Sequence, residues 1–236
     1  MILYPAIDIR EGRCVRLKQG RCDQATVYGE DPVAVAEQWR RLGARRLHVV
    51  DLDGAFTGRP VNTAIVGEII SRTGIPVQIG GGIRSLAAAD AWIQAGADRI
   101  VLGTSAVRHP QLVAQLAERY GPRVVVSLDC WQGKVCVEGW VESSELEAAA
   151  FADTLYGMGI RTVVYTDITR DGTLEGPNLE ELKALQDRSP LQIIASGGVS
   201  SAADVEALAA LGVYGVIVGK ALYEGRLTLE QVKEYL

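Results

Sequence analysis

Two aspartates carry the first chemical signal in this chain. Asp8 closes the opening apolar stretch and Asp129 closes Val124-Val-Val-Ser-Leu128, and each is followed four residues later by a glycine, Gly12 and Gly133, so that the two sets stand 121 residues apart. Two carboxylates facing a shared pocket can act as acid and base when their surroundings push their pKa values apart. Aspartate is also a common turn former, and each could simply cap the loop behind it. The coincidence of both positions in two halves of the chain favours the chemical reading.

The second signal is glycine. Gly80-Gly81-Gly82-Ile83-Arg84-Ser85 is echoed by Ser196-Gly197-Gly198-Val199-Ser200-Ser201, and Gly103-Thr104-Ser105 by Gly219-Lys220-Ala221. Glycines admit a ligand close to the backbone. A helix N-terminus behind such a loop offers free N–H groups and a positive dipole end to an anion. Gly81, Gly82, Arg84, Gly103 and Thr104 form one expected phosphate cradle, and Gly197, Gly198, Gly219 and Lys220 a second. The alternative is that these glycines only make tight strand-to-helix turns. Taken as a duplicated pair, they predict a ligand with a phosphate at both ends. Further candidates at strand ends are Thr166 and Asp171, together with Asp51 and Asp167, each equally able to stabilise a loop. Trp140 is a candidate stacking surface for an aromatic base. His48 lies inside an apolar run and reads as a hydrogen-bonded core residue.

These residues need elements to hold them. Eight short apolar runs recur: Ile2-Leu3, Leu47–Val50, Ile75–Ile79, Ile100–Leu102, Val124–Val126, Thr162–Tyr165, Leu191–Ala195 and Val216–Val218. Their lack of alternation is the mark of strands buried on both faces, as in parallel sheets. Helical periodicity fills the intervals, with Val35, Trp39 and Leu42 on one face and Val205, Leu208 and Ala209 on another. Asp31-Pro32 supplies a cap and first-turn proline, and Gly43 and Gly159 supply stops. Alternation of strand and helix means βαβ crossovers. Asp51 matches Asp167, Asn62 matches Asn178, Gly81-Gly82 match Gly197-Gly198 and Gly103 matches Gly219, all 116 residues apart, so the first half carries five extra residues between Gly12 and Asp51. Two similar four-strand halves close into an α/β fold of (β/α)8 TIM-barrel type with internal twofold duplication. One domain is expected over residues 1–236, with half-barrels of about 1–120 and 121–236.

Composition narrows the class. A chain that is 48% hydrophobic and 22% charged is ordinary globular material, and no run nears the ~18 apolar residues of a membrane span. The N-terminus lacks a basic segment leading into an apolar one. Four cysteines without Cys-x-x-Cys spacing point to reduced thiols in a cytoplasmic protein. Two histidines exclude a histidine-rich metal site, and a net charge of −5 argues against broad nucleic-acid binding.

The strand-end motifs resemble the phosphoribosylformimino-aminoimidazole-carboxamide ribonucleotide isomerases of histidine biosynthesis. The likeness rests on Pro5-Ala-Ile-Asp-Ile-Arg-Glu-Gly12 with Val15-Arg-Leu17, on His48-Val-Val-Asp-Leu-Asp53 and on Gln78-Ile-Gly-Gly-Gly-Ile-Arg84. It continues through Ser127-Leu-Asp129, Gly139-Trp140, Tyr165–Leu174, Ser196-Gly-Gly-Val199 and Gly219-Lys-Ala-Leu222. The resemblance implies an Amadori rearrangement of an aminoaldose with a phosphoribosyl group at each end. It puts the general base on Asp8 and the general acid on Asp129, with Thr166 and Asp171 in support. It implies no metal and no cofactor, since the substrate's own nitrogen serves as electron sink, and no obligatory protein partner, nucleic acid or membrane. Cys130-Trp131 departs from the smaller or basic residues expected after Asp129.

Three rivals share these features. One is a bifunctional isomerase that also takes phosphoribosylanthranilate in tryptophan synthesis. Another is the homologous cyclase subunit, which pairs with a glutaminase; the Pro5-Ala-Ile-Asp8 start and Gly139-Trp140 favour the isomerase. The third is a non-catalytic sugar-phosphate-binding barrel, for which an acid and a base have no use.

Overall fold

A computed structural model describes residues 1–18, 21–137, 140 and 142–236. Among the described residues, eight parallel strands follow the predicted order: β1 (Ile2–Arg10), β2 (Leu47–Asp51), β3 (Val77–Gly80), β4 (Arg99–Leu102), β5 (Val124–Trp131), β6 (Thr162–Asp167), β7 (Gln192–Ser196) and β8 (Gly215–Val218). Each pairs with the next, and β8 pairs with β1 at Ile2–Gly215 through Pro5–Val218, so the sheet closes on itself as a (β/α)8 barrel. The closing pairs leave β1 and β5 diametrically opposed, with three strands between them by either route.

Strand parity explains the unbroken apolar runs. Tyr4 and Ala6 on β1, Val125 on β5, Val164 on β6, Ile194 on β7 and Ile217 on β8 pack together inside the barrel. Their neighbours Leu3, Ile7, Val126, Val163 and Ile193 face outward into a second core against the helices. Both faces are apolar because both are covered.

The helices obey the local signals with one adjustment. Asp31 caps the helix Pro32–Arg41 by accepting from the N–H of Val33 and Ala34, with Pro32 in its first turn. Its buried face is Val33, Ala36 and Trp39, and Leu42 is 51% exposed at the C-cap. Of the expected Val35-Trp39-Leu42 stripe, Trp39 is buried and Val35 packs against the core, while Leu42 stays exposed because the chain turns at Gly43 (φ 105°) before it can reach the sheet. Gly159 (φ 93°) ends Ala148–Gly157 in the same left-handed manner. Among the described residues, no helix is long and apolar enough to cross a membrane.

The duplication is visible atom by atom. Buried Asp51 accepts from the N–H of Gly54, Val61 and Asn62 and from Asn62 Nδ2 at 2.7 Å. Asp167 accepts from Thr169 and from Asn178 Nδ2 at 2.8 Å. Both are loop clamps. Glu11-Gly12 and Gln132-Gly133 are matching left-handed pairs, with φ of 51° and 74°, and 50° and 78°, as type I′ hairpin turns require. They turn β1 and β5 into antiparallel hairpins whose first return strands are Arg13–Lys18 and Lys134–Val137. The extra residues of the first half fall in or beyond its hairpin, ahead of β2.

Gly81 lies against the backbone of β2: at φ 109°, a Cβ there would sit 2.1 Å from the Asp51 carbonyl oxygen. Gly67, inside the helix Thr63–Thr73, has nothing within 4 Å of its missing Cβ. Gly81→Ala is expected to cost about 3 kcal/mol or more, lowering the melting temperature by roughly 6–12 °C. Gly67→Ala is expected to add about 0.5–1 kcal/mol through helix propensity. Thermal unfolding of the two variants checks both signs.

Candidate active site

The inward columns of the barrel change character at their C-terminal ends. Above Tyr4 and Ala6 the next inward residue of β1 is Asp8; above Val125 on β5 come Ser127 and Asp129; above Val164 comes Thr166; above Ile194 comes Ser196. Period-two alternation forces all of them to look into the same mouth. A cavity of about 690 Å³ opens there, lined by Asp8 and Asp129 together with Arg16, His48, Thr166 and Asp171. In register, Thr166 sits between Asp129 on β5 and Ser196 on β7.

Asp8 is 9% exposed, and its Oδ2 accepts from Arg16 Nη1 at 2.7 Å. Burial raises its pKa and the Arg16 guanidinium works against that rise. Asp129 Oδ1 accepts from Ser127 Oγ at 2.7 Å, a bond within one inward column. Asp171 enters from the loop after β6, and burial lifts its pKa to about 6; Arg16 opposes the rise while Asp8 and Asp129 add to it. Three carboxyls thus share one mouth, with Arg16 bonded to Asp8 and acting on Asp171. His48 accepts at Nδ1 from Gln78 Nε2 when its proton is on Nε2, at 2.9 Å. Burial, helped by Arg16, pushes its pKa down to about 3, so the ring is neutral. It is hydrogen-bonded in the core, as expected, and it also lines the cavity.

The glycine loops divide their work. Gly81, Gly82, Arg84, Gly103 and Thr104 line one side of the mouth. Gly197, Gly198, Gly219 and Lys220 line a smaller recess beside it, shared with Arg16, Asp171 and Gly172. The helices that directly follow the Gly-Gly pairs do not offer wholly free N-termini. Ser85 accepts from the N–H of Ala88, and Ser201 from that of Asp204. Gly103 and Gly219, in contrast, begin the short helices Thr104–Arg108 and Lys220–Tyr223 with no side-chain cap. Their backbones match, with φ/ψ of −101°/−109° and −113°/−96°. Of these four glycine loops, the helix ends without a side-chain cap are those after β4 and β8, and the Gly-Gly pairs serve close backbone packing: a Cβ on Gly198 would meet the Gly176 carbonyl oxygen at 2.2 Å.

Arg84 lines the mouth and is tied to the loop after β2, where Nη2 donates to the Ala55 carbonyl at 3.1 Å. Lys220 Nζ donates to the Gly172 carbonyl at 2.9 Å, beside Asp171. Trp140 lines the cavity, while its neighbour Gly139 lies outside the described residues. Cys130 is buried and Trp131 is 48% exposed, so of this pair the cysteine faces the core and the tryptophan faces solvent. Asp51 and Asp167, which could have served either chemistry or loops, hold loops.

Sequence reasoning missed Arg16 and Ser127. Arg16 follows a type I′ turn on the strand paired with β1, in which Val15 opposes Asp8. Gly219 makes room for it, since a Cβ there would come within 2.5 Å of the guanidinium carbon. Ser127 is two residues before Asp129, a spacing that places both on one face of a strand.

The family model described as "Histidine biosynthesis protein" matches residues 2–228. The chain belongs to that family. Among curated relatives, it is 51% identical over 98% of its length to a protein of Desulforudis audaxviator, covering 89% of that protein. It is 52% identical over 98% of its length to one of Moorella thermoacetica, covering 96%. It is 48% identical over 99% of its length to one of Acetivibrio thermocellus, covering 99%. All three relatives are named 1-(5-phosphoribosyl)-5-((5-phosphoribosylamino)methylideneamino)imidazole-4-carboxamide isomerase.

The raised Asp171 has a consequence for stability. Between the ordinary value of 3.8 and about 6, the unfolded chain has released this proton and the folded protein has kept it, so stability falls as pH rises through that window. Asp171→Asn removes the loss. The variant is expected to melt higher than the parent at pH 8, with the gain shrinking as pH drops through 6 and vanishing near 3.8; melting curves across this range test it.

Proposed function

We propose that the chain is a cytoplasmic aldose–ketose isomerase of histidine biosynthesis, which converts the phosphoribosylformimino aminoaldose of aminoimidazole-carboxamide ribonucleotide to its aminoketose. The observation that carries the proposal is the shared cavity: Asp8 and Asp129 cap inward columns of opposed strands, with a glycine-lined wall to each side that suits an anion. A substrate phosphorylated at both ends spans such a mouth with its central aminoaldose between the carboxyls. The names of relatives near 50% identity over nearly the full chain support the same reaction.

In this reading a protonated carboxyl donates to the ribose ring oxygen, the C1–O bond breaks, and the lone pair of the attached nitrogen forms the iminium. Asp8 then takes the proton from C2. The C2–H electron pair forms the enolamine and neutralises the iminium nitrogen, and tautomerisation gives the ketone. Asp129 is the donor in this assignment, oriented by Ser127. Asp171, with its pKa raised to about 6, retains a proton on a fraction of molecules at neutral pH and can resupply the donor. Arg16 opposes the rise that burial imposes on Asp8 and so favours the ionised form that a base requires. Thr166, between Asp129 and Ser196, is in place to hydrogen-bond the intermediate. Every step uses groups already present in the side chains and the substrate, so the reading calls on no cofactor.

Asp8→Asn is expected to lower kcat by about 10³-fold or more with KM nearly unchanged, and Asp129→Asn to lower it by about 10²-fold or more. Near-normal turnover in Asp8→Asn would reject the assignment. If Asp171→Asn loses as much as Asp129→Asn, the donor role passes to Asp171. The parent assayed on phosphoribosylanthranilate alongside the bisphosphorylated substrate decides between a single and a double specificity.

A further inference from the structure

Arg16 and Lys220, the two cations of the second cradle, stand on different elements: Arg16 on the hairpin after β1, Lys220 on the short helix after β8. Each is also engaged elsewhere, Arg16 with Asp8 and Lys220 with the Gly172 carbonyl. The two can serve one phosphate together only while the hairpin lies against the β8 helix. What holds it there is a contact outside the cavity.

The hairpin strands Arg13–Lys18 and Arg21–Gly29 lose regular register at two places, one of them between Cys14 and Val15. Cys14 opposes Gly29 and Val15 opposes Val27, so Tyr28 is an extra residue on its strand. A bulge of this kind re-aims a side chain. Here it turns the Tyr28 ring onto Tyr223, with centroids 5.0 Å apart and planes at 34°, and Tyr223 in turn donates its hydroxyl to the Ala6 carbonyl of β1. The Tyr28 hydroxyl donates to Glu224 Oε1 at 3.0 Å. That same oxygen is 3.8 Å from Lys220 Nζ, and the other carboxylate oxygen is 3.7 Å from Arg226 Nε. Glu224 therefore joins the hairpin to the lysine of the cradle.

We propose that Tyr28 and Glu224 are positioning residues, a latch that holds the β1 hairpin closed over the second cradle and so sets Arg16 and Lys220 for one phosphate of the substrate. The proposal rests on the isomerase reading for its substrate, and on geometry alone for the phosphate. Neither residue lines the cavity or touches the reacting carbons. Their contribution falls on binding of the phosphate end and leaves the proton transfers alone.

The test uses Tyr28→Phe, which keeps the ring on Tyr223 and deletes only the hydroxyl, Glu224→Gln, and the double variant. A hydrogen bond to a charged group is worth enough to raise KM for the bisphosphorylated aminoaldose about 3- to 10-fold in each single variant, with kcat within about 2-fold. The double variant is expected to be no worse than the weaker single, because both cut the same connection. Calorimetric titration of inorganic phosphate into each purified protein reads the cradle without turnover, and one phosphate site is expected to weaken by a similar factor. Melting temperatures report folding separately. Unchanged KM and unchanged phosphate binding in both single variants overturn the latch, as does a fall in kcat at constant KM. A parent that binds phosphate through the latch but leaves the aminoaldose unconverted upholds the latch and refutes the isomerase reading.

Discussion

Closure of the sheet is the constraint on which this molecule depends. Once β8 pairs with β1, every strand must send alternate side chains into a space that admits no water along most of its length. Tyr4, Val125, Val164, Ile194 and Ile217 fill it, and the interior cannot accept a charge at their level without a partner. At the C-terminal rim the same alternation continues but the walls stop. The next inward positions are Asp8, Asp129, Thr166 and Ser196, polar because solvent or ligand can reach them there. The opposition of Asp8 and Asp129 is thus a result of parity and strand order, and needs no special device beyond the barrel itself.

Much of this was legible in the sequence. The eight apolar runs fall on the eight strands, and the 116-residue repeat of Asp, Asn and Gly-Gly falls on a repeated backbone, down to the Asp51–Asn62 and Asp167–Asn178 hydrogen bonds. Those polar pairs could be counted in the sequence but not interpreted, since an aspartate that clamps a loop and one that faces a substrate have the same letter. Position in the column separates them: Asp51 and Asp167 lie one residue beyond the inward Val50 and Thr166, hence on the other face. Arg16 escaped notice for a different reason. Its importance comes from a close approach to Gly219, more than 200 residues away, which no local pattern announces. In the stripe Val35-Trp39-Leu42 only Leu42 departs, left exposed at the C-cap by the turn at Gly43.

The two halves share a backbone but differ in charge. The first cradle has Arg84, held at the Ala55 carbonyl, where the second has Ser200. The second has Lys220 where the first has Thr104, and it gains Arg16 from the hairpin and Asp171 from the loop after β6, at whose equivalent position stands Ala55. Two cations and an acid on one side, against Arg84 alone on the other, give the mouth a direction. A ligand with two similar phosphate ends then has one preferred orientation, which a fully symmetric barrel could not impose.

The paired Asp–Asn clamps bear on how a flexible, doubly phosphorylated molecule could be held at all. Freezing a surface loop upon ligand capture consumes association free energy in lost backbone entropy. In this protein the loops after β2 and β6 are already immobilised during folding, by buried carboxylates that saturate neighbouring N–H groups. These two loops therefore have their order before any encounter, and for them the freedom left to be surrendered lies in the guest.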